Sequence, residues 1–210
     1  MLLIGMFDSP FVRRVAISMR LLNLPFEHAN WSVGKDFNRI REHNPLGRVP
    51  TLVLDDGEAL MESSAILDYL DELVGAERAL LPRSGKQRRD ALKLMAMAIG
   101  AAEKGVAQVY EGAFRPPEKY HQPWIERCKS QVVGALAQLE RVRAIQSSDS
   151  WLLGPRMLQP DITVACVFTF LTDAVRMDMA PYPALQALVA RCEALPEFSE
   201  IKLAFFTPNS

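Results

Sequence analysis

Residues 44–61 read Asn44-Pro45-Leu46-Gly47-Arg48-Val49-Pro50-Thr51-Leu52-Val53-Leu54-Asp55-Asp56-Gly57-Glu58-Ala59-Leu60-Met61. Val49–Leu54 is a β-rich run. Asp55-Asp56-Gly57 is hairpin turn chemistry, and Ala59–Met61 is the return strand. Pro50 conflicts with a regular central strand, because it removes a ladder donor. Two readings fit it. One is an ordinary trans turn ahead of the strand. The other is a cis peptide that turns the backbone and leaves the N–H and C=O of Val49 facing outward. In that case an extended peptide could pair there as an added strand.

Upstream, Leu2–Phe7 is a short apolar run of the buried-strand type. Ser9-Pro10 is a helix start with Pro at the first helical position. Val12, Val15, Ala16, Met19 and Leu22 then mark one face of an amphipathic helix, with Arg13, Arg14 and Arg20 off that stripe. Arg13 and Arg14 read as a solvated face rather than a ligand clamp. Asn23-Leu24-Pro25 ends the helix. Phe26–Trp31 is a strand, and Gly34–His43 a helix stopped by Asn44-Pro45. Downstream of the hairpin, Glu62-Ser63-Ser64 opens a helix with Ile66, Leu67, Leu70 and Leu73 on one side. The order β-α-β-α-β-β-α implies a small mixed sheet with helices packed on it.

Gly75–Gly85 breaks this pattern. Beyond it the periodicity is helical throughout: Lys86–Phe114, Trp124–Ile145, Asp161–Val175, Pro183–Leu195 and Glu197–Ala204. Within Ala96–Ala107 seven of twelve residues are Ala or Gly. Small side chains there admit a neighbouring helix or a ligand. The expected class is thus α/β plus all-α.

The 210 residues carry 24 basic and 25 acidic side chains. Residues 1–83 hold nine against twelve, and the remainder fifteen against thirteen. Neither half has the basic face of a nucleic-acid binder. Cys128, Cys166 and Cys192 form no CxxC, which reads as free thiols in a reducing compartment. The opening lacks a signal-peptide pattern, and Ile162–Thr172 is half the length of a membrane span. A cytoplasmic location without membrane contact is expected. His28, His43 and His121 make no metal spacing and no Ser/His/Asp constellation, so no metal is expected.

Ser9 stands where a strand ends and a helix begins. Plain N-capping explains it, worth about 1 kcal/mol. A helix N-terminus with a hydroxyl also favours an anion, a thiolate included. Glu62-Ser63 can likewise be a cap, or can hold the carboxylate and ammonium of a short zwitterionic peptide. Three motifs now stand in order and at fixed spacing: Ser9-Pro10-Phe11-Val12-Arg13-Arg14-Val15, Asn44 to Leu52, and Glu62-Ser63-Ser64-Ala65-Ile66. Together they resemble the thioredoxin-like domain of cytosolic glutathione S-transferases. The helical second half fits that family too. The opening is most similar to the serine-type classes, plant tau among them.

The resemblance implies a glutathione transferase fold. Residues 1–80 would be a thioredoxin-like glutathione-binding domain, 81–85 a linker, and 86–210 an all-helical domain lining the acceptor pocket. It implies glutathione as cosubstrate, a cis Val49–Pro50 bond, backbone pairing of Val49 with the cysteinyl part, and Glu62-Ser63 at the γ-glutamyl end. Ser9 would donate to the sulfur, and the thiolate would attack a hydrophobic electrophile. Lys35 and Arg48 are candidates for the glycyl carboxylate, or surface charges. Phe11, Met97, Ala101, Tyr110, Phe114 and Phe205 are candidates for the acceptor pocket, or core, with Phe206 beside Phe205 as a possible closure. No cysteine stands at 9 or 12, which argues against a mixed-disulfide thioltransferase. A homodimer is implied. A glutathione-dependent isomerase and a non-catalytic binding or regulatory protein of the same fold are the alternatives. The family's helix-start motif in the second half keeps Gly154 and Asp161 but has Leu158 in place of Ser or Thr. Its capping box is therefore expected to be incomplete, with Pro160 compensating in part.

Overall fold

The computed structural model describes residues 1–207. β1 (Leu2–Ile4) leads into α1 (Pro10–Leu21), and β2 (Glu27–Ala29) follows, parallel to β1. After α2 (Phe37–Arg41) come β3 (Thr51–Val53) and β4 (Ala59–Met61). β3 runs antiparallel to both β1 and β4, so the sheet order is β2-β1-β3-β4. The β3–β4 turn closes as its chemistry requires. Leu54 N–H donates to Glu58 C=O at 2.8 Å, and Gly57 sits at φ +92°. α3 (Ser63–Val74) completes the mixed layer.

The rest is helical: α4 (Gly85–Phe114), α5 (Gln122–Ala144), α6 (Gln159–Asp173), α7 (Pro183–Glu193) and α8 (Pro196–Ser199). A single 3-10 turn, Pro117–Lys119, is added between α4 and α5. The expected elements are all present: β1, β2, β3 and α2 are shorter than expected, while α4, α5 and α6 begin one or two residues earlier. The largest difference lies at the last helix. It was expected to run to Ala204, yet helix stops at Ser199 and residues 202–207 continue without it. The reason is tertiary: this segment turns back across the mixed layer.

The stripe of small residues in α4 is explained by a neighbouring helix. At Gly105 an added Cβ would come within 2.7 Å of Leu171 and 3.0 Å of Phe170, both on α6. α6 itself is buried on nearly every side. Its N-terminus is held by Asp161, which is fully buried and accepts from Leu152 N–H at 2.8 Å and Leu158 N–H at 2.9 Å. The acidic half of the capping box is thus present. Leu158 has no side-chain acceptor to supply the other half. Burial pushes the Asp161 carboxyl up to about 6, against those two N–H groups.

One helix departs from its expected surroundings. α1 was read as carrying Arg13 and Arg14 on a solvated face. Both are buried instead, at 3% and 0% exposure. α1 lies between the sheet with α3 on one side and α6 with α8 on the other, so no face of it is free. Arg13 makes a paired contact with Glu193, at 2.8 and 2.9 Å, and donates to the Ile201 and Phe198 carbonyls at 2.6 and 3.0 Å. Burial raises the Glu193 carboxyl, but Arg13 and Lys202 outweigh it and leave the group below its ordinary value. A carboxylate depressed on folding contributes stability above its unfolded pKa, and that contribution is lost as pH falls through the folded one. Glu193→Gln is therefore expected to lower stability at neutral pH. It should also flatten the loss of stability below about pH 4.5 in denaturant titrations run at several pH values.

Cys128, Cys166 and Cys192 are free and buried. Burial holds the Cys166 thiol up at about 12, so it is inert at neutral pH. Among the described residues no helix is long and apolar enough to cross a membrane, and no cluster could hold a metal ion.

Candidate active site

The sheet register gathers the three sequence motifs at one end. Ile4 faces Thr51, and Thr51 faces Met61. The residues just beyond the ladder, Gly5, Pro50 and Glu62, therefore leave the sheet side by side. α1 and α3 both begin at this end. Two helix N-termini, each a locus of partial positive charge, thus share one edge.

Val49–Pro50 is cis. The loop before it is shaped by the buried Asn44, which donates to Arg48 C=O at 2.9 Å and to Thr51 Oγ1 at 3.1 Å, and accepts from Leu46 N–H at 3.0 Å. Among the described residues neither the N–H nor the C=O of Val49 has a hydrogen-bond partner. An exposed donor and acceptor on one residue is the edge that an extended ligand can pair with. Gly5 makes this approach possible. It sits at φ +129°, and an added Cβ would lie 2.8 Å from Val49 Cβ and 2.6 Å from Val12 Cγ2.

Ser9 caps α1, with Oγ accepting from Val12 N–H at 3.5 Å. That is a long bond, and it uses only the oxygen. The hydroxyl proton is left for an outside acceptor. Ser9 and Phe11 open onto a cleft of about 690 Å³ between the two halves of the chain. One wall carries Trp31, Phe37 and Val49. The facing wall carries Val106, Val109, Tyr110 and Phe114 of α4 with Phe170 of α6. Phe205 and Phe206 complete the lining. Its charged groups are Asp8 and Arg48. Burial raises the Tyr110 hydroxyl, so it stays protonated and a donor at neutral pH.

Met97 and Ala101, expected in the pocket, lie outside its lining. Ala101 is core, and Met97 packs on the core. α4 has 30 residues and is about 45 Å long, and only its last turns reach the cleft. Lys35 is exposed, and its Nζ stands 4.9 Å over the Phe206 ring. Arg48 is exposed on the cleft wall.

Glu62 and Ser63 lie outside the cleft lining, at the neighbouring start of α3. Glu62 is exposed at φ +72°, and its carboxylate accepts from Ser64 N–H at 3.1 Å and from the Ser63 hydroxyl at 3.2 Å. Ser63 is fully buried. Beneath it lies a group that the sequence pattern did not reveal. Arg14 donates to Ser63 Oγ at 2.9 Å, Ser64 Oγ at 2.8 Å and Thr163 Oγ1 at 3.2 Å. Burial lowers the guanidinium to about 10, opposed by the charge of Glu62, so it remains a cation at neutral pH. Its hydrogen-bond partners are hydroxyls, and the charge of Glu62 favours its cationic form.

Asp8 was also missed. It adjoins Ser9, and its Oδ2 accepts from Phe206 N–H at 3.0 Å. Burial raises its carboxyl, while the N–H groups of Phe206 and Ser9 pull it down.

Comparison with known proteins agrees with this geometry. Residues 3–78 match the family described as glutathione S-transferase, N-terminal domain, and residues 122–191 match glutathione S-transferase, C-terminal domain. An uncharacterized GST-like protein of Escherichia coli K12, YibF, is 33% identical over 140 residues, covering 67% of this chain and 68% of its own. A probable maleylacetoacetate isomerase of Vibrio cholerae is 28% identical over 95% of this chain and 94% of its own. A glutathione S-transferase of Methylobacterium radiotolerans, solved in complex with glutathione sulfonate, matches with a TM-score of 0.90 at 29% identity. That match covers 98% of this chain and 96% of the other.

Proposed function

The chain belongs to the glutathione S-transferase family, and from that premise we propose that it activates glutathione at Ser9 for attack on an aromatic electrophile held in the cleft. The observation that carries this reading is the place of Ser9. Its hydroxyl, whose oxygen caps α1 and whose proton has no acceptor among the described residues, stands on the wall of an aromatic cleft. The glutathione sulfonate held by the Methylobacterium relative supports glutathione as the ligand here. Glutathione would pair its cysteinyl backbone with Val49 and set its γ-glutamyl end at Glu62 and Ser63. Lys35 and Arg48 are the cations available to its glycyl carboxylate.

The chemistry follows from charge. The thiol gives its proton to solvent. The Ser9 hydroxyl and the N-terminal partial charge of α1 stabilise the thiolate that remains. The sulfur then bonds to the electrophilic carbon, and the leaving group departs with its electron pair. Depressing the thiol pKa by two units takes about 2.7 kcal/mol of differential stabilisation, nearly all of it from the Ser9 hydrogen bond, since a donor to an anion is worth about 1.5–3 kcal/mol and a helix terminus about 0.3–1. This makes the protein a serine-type transferase. We also propose a homodimer, as in the family, working in a reducing cytoplasm that keeps its three thiols free.

A second reading rests on the Vibrio relative: a glutathione-dependent isomerase. The two differ in the fate of glutathione. Transfer consumes the thiol mole for mole, and isomerisation returns it. The aromatic lining supports an aromatic acceptor, and its two charged groups, Asp8 and Arg48, are of opposite sign, so the fate of glutathione separates the readings and charge does not.

The test is a pH titration of the ultraviolet thiolate absorbance of bound glutathione. The thiolate is expected to appear about two pH units below its value in free glutathione. Mole-for-mole loss of thiol with 1-chloro-2,4-dinitrobenzene would then establish transfer. Turnover of maleylacetoacetate with thiol unchanged would establish isomerisation. Binding without the pH shift would make the protein a carrier, and no binding would overturn the proposal.

A further inference from the structure

We propose that Asp8 is a positioning residue that latches residues 202–207 across the cleft, so that Phe205 and Phe206 form the outer wall of the acceptor pocket. This rests on the reading that the cleft takes an aromatic electrophile.

The segment has a fixed end and a releasable end. The fixed end is Ile201. Its carbonyl is held by the buried Arg13 at 2.6 Å, and that guanidinium is itself clasped by Glu193. The releasable end is Phe206, whose N–H donates to Asp8 Oδ2 at 3.0 Å in an exposed setting. Between them the chain has left helix behind. Lys202 Nζ stands 3.8 Å from Glu193, and Leu203 is exposed. Segments with exposed hydrogen bonds and few buried contacts open at low free-energy cost.

The wall itself is aromatic. The Phe205 ring meets Phe170 edge-on, with centroids 6.2 Å apart. The Phe206 ring lies under Lys35, a cation otherwise available to the glycyl carboxylate. The contacts of Phe206 with Asp8 and with Lys35 therefore join both sides of the cleft, beside groups assigned to glutathione. When the latch opens, the acceptor loses one wall, while glutathione keeps Val49, Glu62 and Ser63 and of its groups only Lys35 is uncovered.

The test compares Asp8→Ala with Asp8→Asn. The asparagine oxygen still accepts the Phe206 N–H, and alanine cannot. Amide hydrogen exchange of the 202–207 segment is expected to rise about tenfold in Asp8→Ala and to stay near wild type in Asp8→Asn. KM for 1-chloro-2,4-dinitrobenzene should rise about tenfold in Asp8→Ala alone, with glutathione Kd changing less than about threefold in both. If Asp8 acted instead through its charge on the neighbouring thiolate, both variants would shift thiolate ionisation equally, and the proposal falls. It also falls if exchange in Asp8→Ala stays at the wild-type rate, or rises without moving acceptor KM. If the wild type shows no conjugation, the transferase reading fails separately. The exchange arm, with the Kd of the non-reacting aromatic dye anilinonaphthalene sulfonate in both variants, still decides the latch.

Discussion

Replacing Ser9 with alanine is expected to lower kcat for conjugation about 100-fold near neutral pH, while glutathione Kd changes less than about threefold. The asymmetry follows from where the hydroxyl acts. Ser9 Oγ has one long contact within its own helix, to Val12 N–H at 3.5 Å. Its proton is free for the sulfur. The tripeptide would keep its pairing with the Val49 backbone and its seat at the start of α3. What disappears is the donor that favours thiolate over thiol, and about two pKa units of that preference correspond to about 100-fold in the ionised fraction. The loss should shrink as pH rises toward the pKa of free glutathione, because solvent then removes the proton unaided. Stopped-flow turnover across pH 6–9, with calorimetric Kd values beside it, checks both halves. Equal loss of kcat and affinity would take Ser9 out of the thiolate's environment. A stability change beyond that of a lost cap, about 1 kcal/mol, would make its role chiefly structural.

Arg14→Ala should destabilise the fold by about 4 kcal/mol, a fall in Tm of roughly 12 °C. The side chain is among the largest fully buried ones, and its removal opens a cavity where α1, α3 and α6 meet. It also strips three hydroxyls, Ser63, Ser64 and Thr163, of their donor. Arg14→Lys should recover only part of this. A single ammonium cannot reproduce the planar fork that reaches two helices at once. Affinity for glutathione is expected to fall in both variants, because Glu62 sits at φ +72° and Ser63 depends on Arg14 for its orientation. Thermal melts with and without saturating glutathione separate the two effects. A rise in melting temperature on adding glutathione equal to that of the wild type would mean that Arg14 leaves the binding edge untouched.

Much of this molecule was legible from local chemistry. The Val49–Met61 hairpin, with its Asp-Asp-Gly turn, and the Ser-Pro helix start both depend on residues close in sequence, and both took the expected form. Helical periodicity likewise located the long helices of the second half. What stayed hidden depends on distant partners. Periodicity assigns polar residues to the outside, so it placed Arg13 and Arg14 in water. Their partners lie 49 to 188 residues away along the chain. Asp8 resembles any acid near a helix start until the chain returns at Phe206. Met97 and Ala101 show the converse. Helical spacing identifies a face, but it says nothing of which turn along 30 residues meets the cleft.

The contacts of Arg13 and Arg14 also order events at the ribosome. α1 emerges among the first residues made, and Ser63 and Ser64 soon reach Arg14, yet Thr163 and all the partners of Arg13, at Glu193, Phe198 and Ile201, come far later. At about 5–20 residues per second, most of the chain's synthesis passes before those partners exist. Until then the helix that carries Ser9 holds two charges that its final burial would strand. The reactive end of the sheet is therefore assembled last, although its residues are translated first. A nascent chain cannot complete the Ser9 end of its sheet before its carboxyl-terminal helices arrive.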